Sequence, residues 1–320
     1  RNSFLEDIAR MARDSGLAEV SAWSYGELRE AASSPGERRQ LDQRIADMAM
    51  QMGDTIAALR AQQRVAESYD PDSDEGRRAR ARVIHLEAAS LEAEPLRMSF
   101  LAFQANFPEA TELDALAAAV SAALQSRGDP DGAHAVLQGI TGPRSALETA
   151  YILLDAGDIE RGRSTLLRAV SGLPPSEATP VIQLASLLGQ ISQGSVPILV
   201  TAGVRAHRGK GVEAAEGLVS ETQNLAASDR AALLAEAARM AMRSSDTTLS
   251  VDIRERILTD YPNAPEVAEA TLELARHYAG SGGDYEEAVR LLEELIVRDP
   301  GAAVVPEARL ELERLRSSGS

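Results

Sequence analysis

The 320-residue sequence has no cysteine, a single lysine (Lys210), one tryptophan and few aromatics of any kind. Without cysteine there can be no disulfide framework, thiolate metal site or cysteine nucleophile. An aromatic content of 3% leaves alanine and leucine to build the core, and small unbranched side chains suit closely packed helices better than β-sandwiches. No apolar run approaches the ~18 residues that span a bilayer, so a soluble chain with no membrane span is expected. A basic face is missing too. The net charge of −16 opposes nucleic-acid phosphates and anionic lipid alike.

What the sequence does contain is punctuation. Gly53-Asp54, Gly128-Asp129, Gly157-Asp158, Ser245-Asp246 and Gly283-Asp284 each separate two helix-periodic stretches. Glycine can close the first helix in the left-handed conformation. The aspartate can accept a hydrogen bond from the free amides that open the second. Small residues recur four positions after the aspartate, at Ala58, Ala133, Gly162, Ser250 and Ala288, where two helices cross closely. Large apolar residues follow at Leu137, Leu166 and Leu292, and Pro71, Pro174, Pro262 and Pro300 mark the ends of second helices.

This pattern resembles the tetratricopeptide repeat, with a period near thirty-four residues. It is fullest in windows 143–176 and 231–264. Window 266–300 carries one extra residue in its SGGD loop, and windows 39–72 and 114–142 are weaker. The resemblance implies an all-α, tetratricopeptide-like α-solenoid of antiparallel helix pairs forming a right-handed superhelix, with about eighteen helices. The expected division is N-terminal amphipathic helices over 1–38, a first repeat lobe over 39–175, divergent helical repeats over 176–227, a second lobe over 228–316 and a flexible tail over 317–320. GLPPSEATP (172–180) is the expected bend between lobes.

Several motifs invite chemistry and do not sustain it. VPILVTAGVRAHRGKG (196–211) suggests a phosphate loop. Five residues rather than four part Gly203 from Gly209-Lys210, and Gly211 stands where the magnesium-binding hydroxyl belongs. A helix from 196 to 208 with a glycine turn is expected instead. In DPDSDEGRRARA (70–81), Asp70, Asp72 and Asp74 have calcium-loop spacing, but Glu75 replaces the turn glycine and Ala81 the closing glutamate. An acidic helix start is expected there, followed by Arg77, Arg78, Arg80 and Arg82 on a solvated face, a small anion-binding patch being the alternative. His85, His134, His207 and His277 form no metal-ligand pair, and no nucleophile motif appears. No metal, cofactor or catalytic residue is expected.

In tetratricopeptide arrays the first helices line a concave groove that holds a protein or peptide. The resemblance places Arg144, Glu148, Tyr151, Asp155, Glu236, Arg239, Met242, Arg243, Glu273 and Arg276 on that face. The asparagine-plus-basic clamp by which some relatives hold a C-terminal carboxylate is absent. The C-terminal repeats, with DYPNAP (260–265) and RDPGAA (298–303) closing second helices, resemble bacterial envelope proteins. The types in question are the Tol-Pal-associated division protein and the outer-membrane-protein assembly lipoprotein. A start at Arg1 rather than methionine carries the expectation of an upstream segment such as a signal peptide.

The function expected is a non-enzymatic interaction scaffold in a bacterial envelope complex, periplasmic or associated with the outer membrane, a cytoplasmic site being the alternative. Two rivals stand beside it: a homo-oligomer assembled through residues 1–38, and the helical platform of a peptidoglycan-acting enzyme.

Overall fold

A computed structural model describes residues 2–280 and 283–318. Every regular element among them is helical, eighteen α-helices and one 3-10 turn, Thr222–Asn224. The chain divides into two compact units, Arg1–Ile152 with Arg168–Pro174, and Leu153–Leu167 with Pro175–Ser320.

The first unit contains α1 (Asn2–Asp14), α2 (Ala18–Ala31), α3 (Pro35–Gln51), α4 (Thr55–Glu67), α5 (Asp74–Ser90), α6 (Ala93–Asn106), α7 (Leu113–Ser126), α8 (Pro130–Leu137) and most of α9 (Pro143–Asp155). Helices α3 and α4, and α7 and α8, are tightly packed antiparallel pairs, and α5 packs on α7 as well as on α6. Phe100, Leu96 and Leu124 are fully buried, and Phe103 stacks at a tilt on Phe107 with centroids 5.1 Å apart. Three of the four phenylalanines therefore sit in and just after α6. Residues 35–38, assigned to the N-terminal helices from sequence, belong to α3, because Pro35 opens it and the Ser34 hydroxyl accepts the Glu37 amide at 3.1 Å. Asp42 is buried and accepts from Arg29 at 2.8 Å and Arg64 at 2.7 Å, tying α2, α3 and α4.

The second unit contains most of α10 (Ile159–Val170), α11 (Pro175–Leu188), α12 (Val196–His207), α13 (Gly211–Glu221), α14 (Arg230–Arg243), α15 (Thr247–Asp260), α16 (Val267–Ala279), α17 (Tyr285–Arg298) and α18 (Val305–Ser318). Pairs α12–α13, α14–α15 and α16–α17 repeat the same antiparallel packing. Residues 175–180 of GLPPSEATP are helical, with Pro180 inside α11. Ser317 and Ser318 continue α18, shortening the expected tail; residues 319 and 320 lie outside the described residues, as do 281 and 282 of the SGGD loop.

The turn chemistry is uniform. Gly53, Gly128, Gly157 and Gly283 have φ of 73°, 78°, 83° and 66°, and Ser245, at 64°, is the one non-glycine residue with positive φ among those described. Asp54, Asp129, Asp158, Asp246 and Asp284 each accept the amide three residues on, at 2.9, 2.9, 3.3, 3.0 and 3.0 Å. Ala58, Ala133, Ser250 and Ala288 are fully buried, and a Cβ added to Gly162 would lie 2.7 Å from the Leu154 side chain. These are tetratricopeptide-like helix pairs. The phosphate-loop look-alike is a helix–turn–helix: α12 with Pro197 in its first turn, then Gly209 at φ 80°. Helix α5 is capped by the Ser73 hydroxyl, which accepts the Gly76 amide, with Asp74 and Glu75 in its first turn. No helix among the described residues is long and apolar enough to cross a membrane.

Candidate functional site: an alanine-floored groove in the first unit

Successive first helices of the first unit, α3, α5, α7 and α9, wall a groove of about 1040 Å³. Alanine gives it a low floor: Ala46 and Ala81 from α3 and α5, and Ala115, Ala118, Ala119 and Ala122 from α7. Short methyls leave room for an incoming side chain to approach the helices, and Leu86, Leu116 and Met50 add apolar surface. The rim is polar. Gln43 and Asp47 come from α3, Arg78, Arg82 and His85 from α5, Glu112 from the start of α7, and Arg144 and Glu148 from α9.

Helix phase sorts the arginines of RRARAR (77–82). Arg77 pairs with Glu112 and lies 3.3 Å from Asp74, while Arg80 donates to the Pro71 carbonyl at 2.6 Å and lies over the Phe107 ring. Arg78 and Arg82, one turn apart on the groove side, are exposed and have no carboxylate or carbonyl partner among the described residues. On the α3 side of the rim, Asp47 accepts the Gln43 amide at 3.0 Å and pairs with no arginine among the described residues. Glu112 is neutralised by Arg77. The α5 wall therefore carries uncompensated positive charge in a strongly acidic protein.

The residues expected on the concave face fall into both units. In the first, Arg144 and Glu148 line the groove, Arg144 exposed and Glu148 5% exposed; Tyr151 is buried and withdrawn from a partner, because the helix turns it into the core. In the second, Asp155 is exposed, as are Met242, Arg243 and Arg276. Glu236 is 1% exposed, held by Arg239 and Arg243 at 2.9 Å each, so it acts as a structural acid rather than a contact residue. Burial opposes the Arg239 charge, but Glu236 and Glu269 outweigh it and keep the guanidinium raised above its ordinary pKa. Glu273 is half-buried and paired with Arg276, which also reaches Glu307 at 2.8 Å.

Arg254 is buried beneath this network, its charge disfavoured by desolvation. Its guanidinium donates to the Ser250 carbonyl and hydroxyl. His277 packs edge-on against Tyr278, with centroids 5.5 Å apart. Among the described residues no cluster of three or more His, Asp or Glu is placed to hold a metal ion.

Sequence reasoning missed Arg78, Arg82, His85 and the α7 alanines as groove residues. Their signal was present as i, i+4, i+7 spacing on one helix face.

No protein-family model matches the chain, and no curated protein matches it. Among solved structures the chain is similar to the P58(IPK) TPR domain, at 12% identity and a TM-score of 0.30, covering 100% of this chain and 99% of that one. It is similar to Ton1535 of Thermococcus onnurineus at 14% identity and a TM-score of 0.33, over 98% and 97% of the two chains. A human IFIT1 dimer with PPP-AAAA is 12% identical with a TM-score of 0.35, over 97% of this chain and 72% of that one. The fold assignment rests on the helix pairs described above.

Proposed function

We propose that the protein is a non-enzymatic interaction scaffold that holds a protein or peptide segment in the groove of its first unit, within a bacterial envelope complex. The observation that carries the binding role is the groove itself, an apolar floor with a polar rim built from consecutive first helices. Repeat scaffolds present such a surface on a framework that its own helix contacts keep folded. The envelope assignment draws on the likeness of DYPNAP and RDPGAA to envelope repeat proteins.

The test is in-cell crosslinking with the protein as bait and Ala119→Glu, which fills the groove floor, as control. Capture of one protein by the wild type and its loss in the variant supports the scaffold. Identical captures overturn the groove, and fractionation of the bait away from the envelope overturns the location.

A second reading, self-assembly through residues 1–38, is favoured by large apolar side chains left exposed there. Phe4 and Met11 on α1 and Trp23 on α2 are each more than half exposed. Light scattering with and without residues 1–38 separates a homo-oligomer from a monomeric adaptor.

A further inference from the structure

Arg78 and Arg82 combine two features, a place in the groove lining and the lack of a carboxylate or carbonyl partner among the described residues. Within the first unit, Arg29 and Arg64 share Asp42, Arg77 holds Glu112, Arg97 holds Glu94, and Arg127 donates to backbone carbonyls of Ala88 and Ala123. Arg78 and Arg82 line the groove with no such partner among the described residues, and His85 continues the same wall one turn on. Residues four apart on a helix stand roughly 6 Å apart at Cβ, so the two guanidinium forks can each take a separate carboxylate. Opposite them lie the alanines of α7, which leave depth for a bulky apolar side chain.

From this we infer that the groove selects an acidic peptide segment: two carboxylates about one helical turn apart, seated on Arg78 and Arg82, flank a bulky apolar residue lodged on the Ala115–Ala118–Ala119–Ala122 floor. Charge complementarity supplies the argument. The net charge of −16 opposes an acidic partner over the protein as a whole, and the arginine pair beside the apolar floor supplies the local attraction that sets the register in which the segment lands. A polyphosphate backbone offers charge without the apolar anchor and leaves the methyl floor unused, which favours the peptide. The inference rests on the proposed groove function and adds its chemistry.

The experiment selects random twelve-residue phage-displayed peptides on the full chain, on Arg78→Ala/Arg82→Ala, and on Arg60→Ala. Arg60 is an exposed arginine of α4, outside the groove and without a partner among the described residues. The far-UV circular dichroism of each variant confirms that it is folded. The expected result is enrichment of paired Asp or Glu beside Leu, Ile, Phe or Met on the wild type and on Arg60→Ala. Synthetic peptides from that set then lose at least tenfold in affinity on the double variant and on exchange of their carboxylates for amides.

Peptides that bind without acidic excess, or equally well to the double variant, overturn the inference while leaving the groove a peptide site. A selection that yields no binder overturns the groove function itself. A twelve-nucleotide oligo(A) RNA that displaces the selected peptides and depends on Arg78 and Arg82 assigns the wall to phosphate and overturns the peptide chemistry.

Discussion

Asp114, in the first turn of α7, accepts the backbone amide of Ser145 at 2.8 Å, thirty-one residues further on, where α9 begins. It also accepts the Arg144 amide at 3.1 Å, and the Ser145 hydroxyl donates to its carbonyl at 3.2 Å. One carboxylate thus caps the first helix of the next repeat and fixes where Arg144 enters the groove. The spacing recurs in the second unit, where Arg239 reaches Glu269 at 2.9 Å and Arg276 reaches Glu307 at 2.8 Å. First helix is tied to first helix, one repeat at a time.

Gly142 is part of that cap. A Cβ at this position would lie 2.1 Å from the Asp114 carboxyl carbon. Asp114→Ala is expected to cost about 1–2 kcal/mol, the usual range for a lost helix cap. Gly142→Ala is expected to cost a similar amount in the wild type and much less when Asp114 is already alanine. A double-mutant cycle from urea unfolding measures the coupling. Additive costs would show that the two positions act independently.

Ser245 stands where four sister turns have glycine, and its φ of 64° burdens its Cβ with the strain that glycine avoids. Ser245→Gly is expected to stabilise the chain by about 0.5–1 kcal/mol, since relief of strain exceeds the extra backbone entropy of glycine. Gly157→Ala, placing a Cβ at φ 83°, is expected to destabilise by about 1 kcal/mol. Opposite shifts in the urea midpoint check the pair.

These turns were legible in the sequence because their chemistry is local. A left-handed residue and the aspartate beside it determine the end of one helix and the start of the next without reference to distant chain. The junction of α5 and α6 has no such mark. Leu91 is extended there and Glu92 makes no side-chain cap, so the repeat beginning at α5 went unrecognised and with it the groove wall. Burial was illegible for a different reason. Tyr151 and Glu236 occupy first-helix positions that could face outward by repeat register, but packing around each helix turned them inward. Setting Arg77 apart from Arg78 and Arg82 required the Glu112 partner thirty-five residues away, and setting Arg80 apart required the Pro71 carbonyl and the Phe107 ring.

Asp229 gives the second unit a specific acid sensitivity. Burial pushes its carboxyl pKa up, but Ser192, Ser195 and Ser228 donate to it through three hydroxyls and the Ser192 amide, and these bring it down to about 2. A depressed carboxylate stabilises the fold fully above its unfolded pKa of about 4 and loses that contribution as pH falls through the folded value. Stability is therefore expected to fall by about 1–2 kcal/mol between pH 4 and 2 on account of this group. Asp229→Asn removes that component. Equal acid slopes in the two proteins, from urea unfolding at a series of pH values, would place the sensitivity elsewhere.

Glu236 separates a structural acid from a partner contact. It is 1% exposed and accepts from Arg239 and Arg243, while Arg239 also pairs with Glu269 on the next first helix. Removing one member of a buried pair leaves charge without compensation and costs ~3–5 kcal/mol in full burial. Both arginines here retain some access to water, and Arg239 keeps Glu269, so Glu236→Gln is expected to cost about 2 kcal/mol. Exposed Arg276 supplies the contrast: Arg276→Ala breaks pairs with Glu273 and Glu307 in solvent and is expected to cost under about 1 kcal/mol. If Glu236 were a contact residue, its substitution would leave unfolding unchanged and weaken capture of a partner. Urea denaturation of the two variants decides, because only a buried, doubly paired acid makes Glu236 the more costly loss.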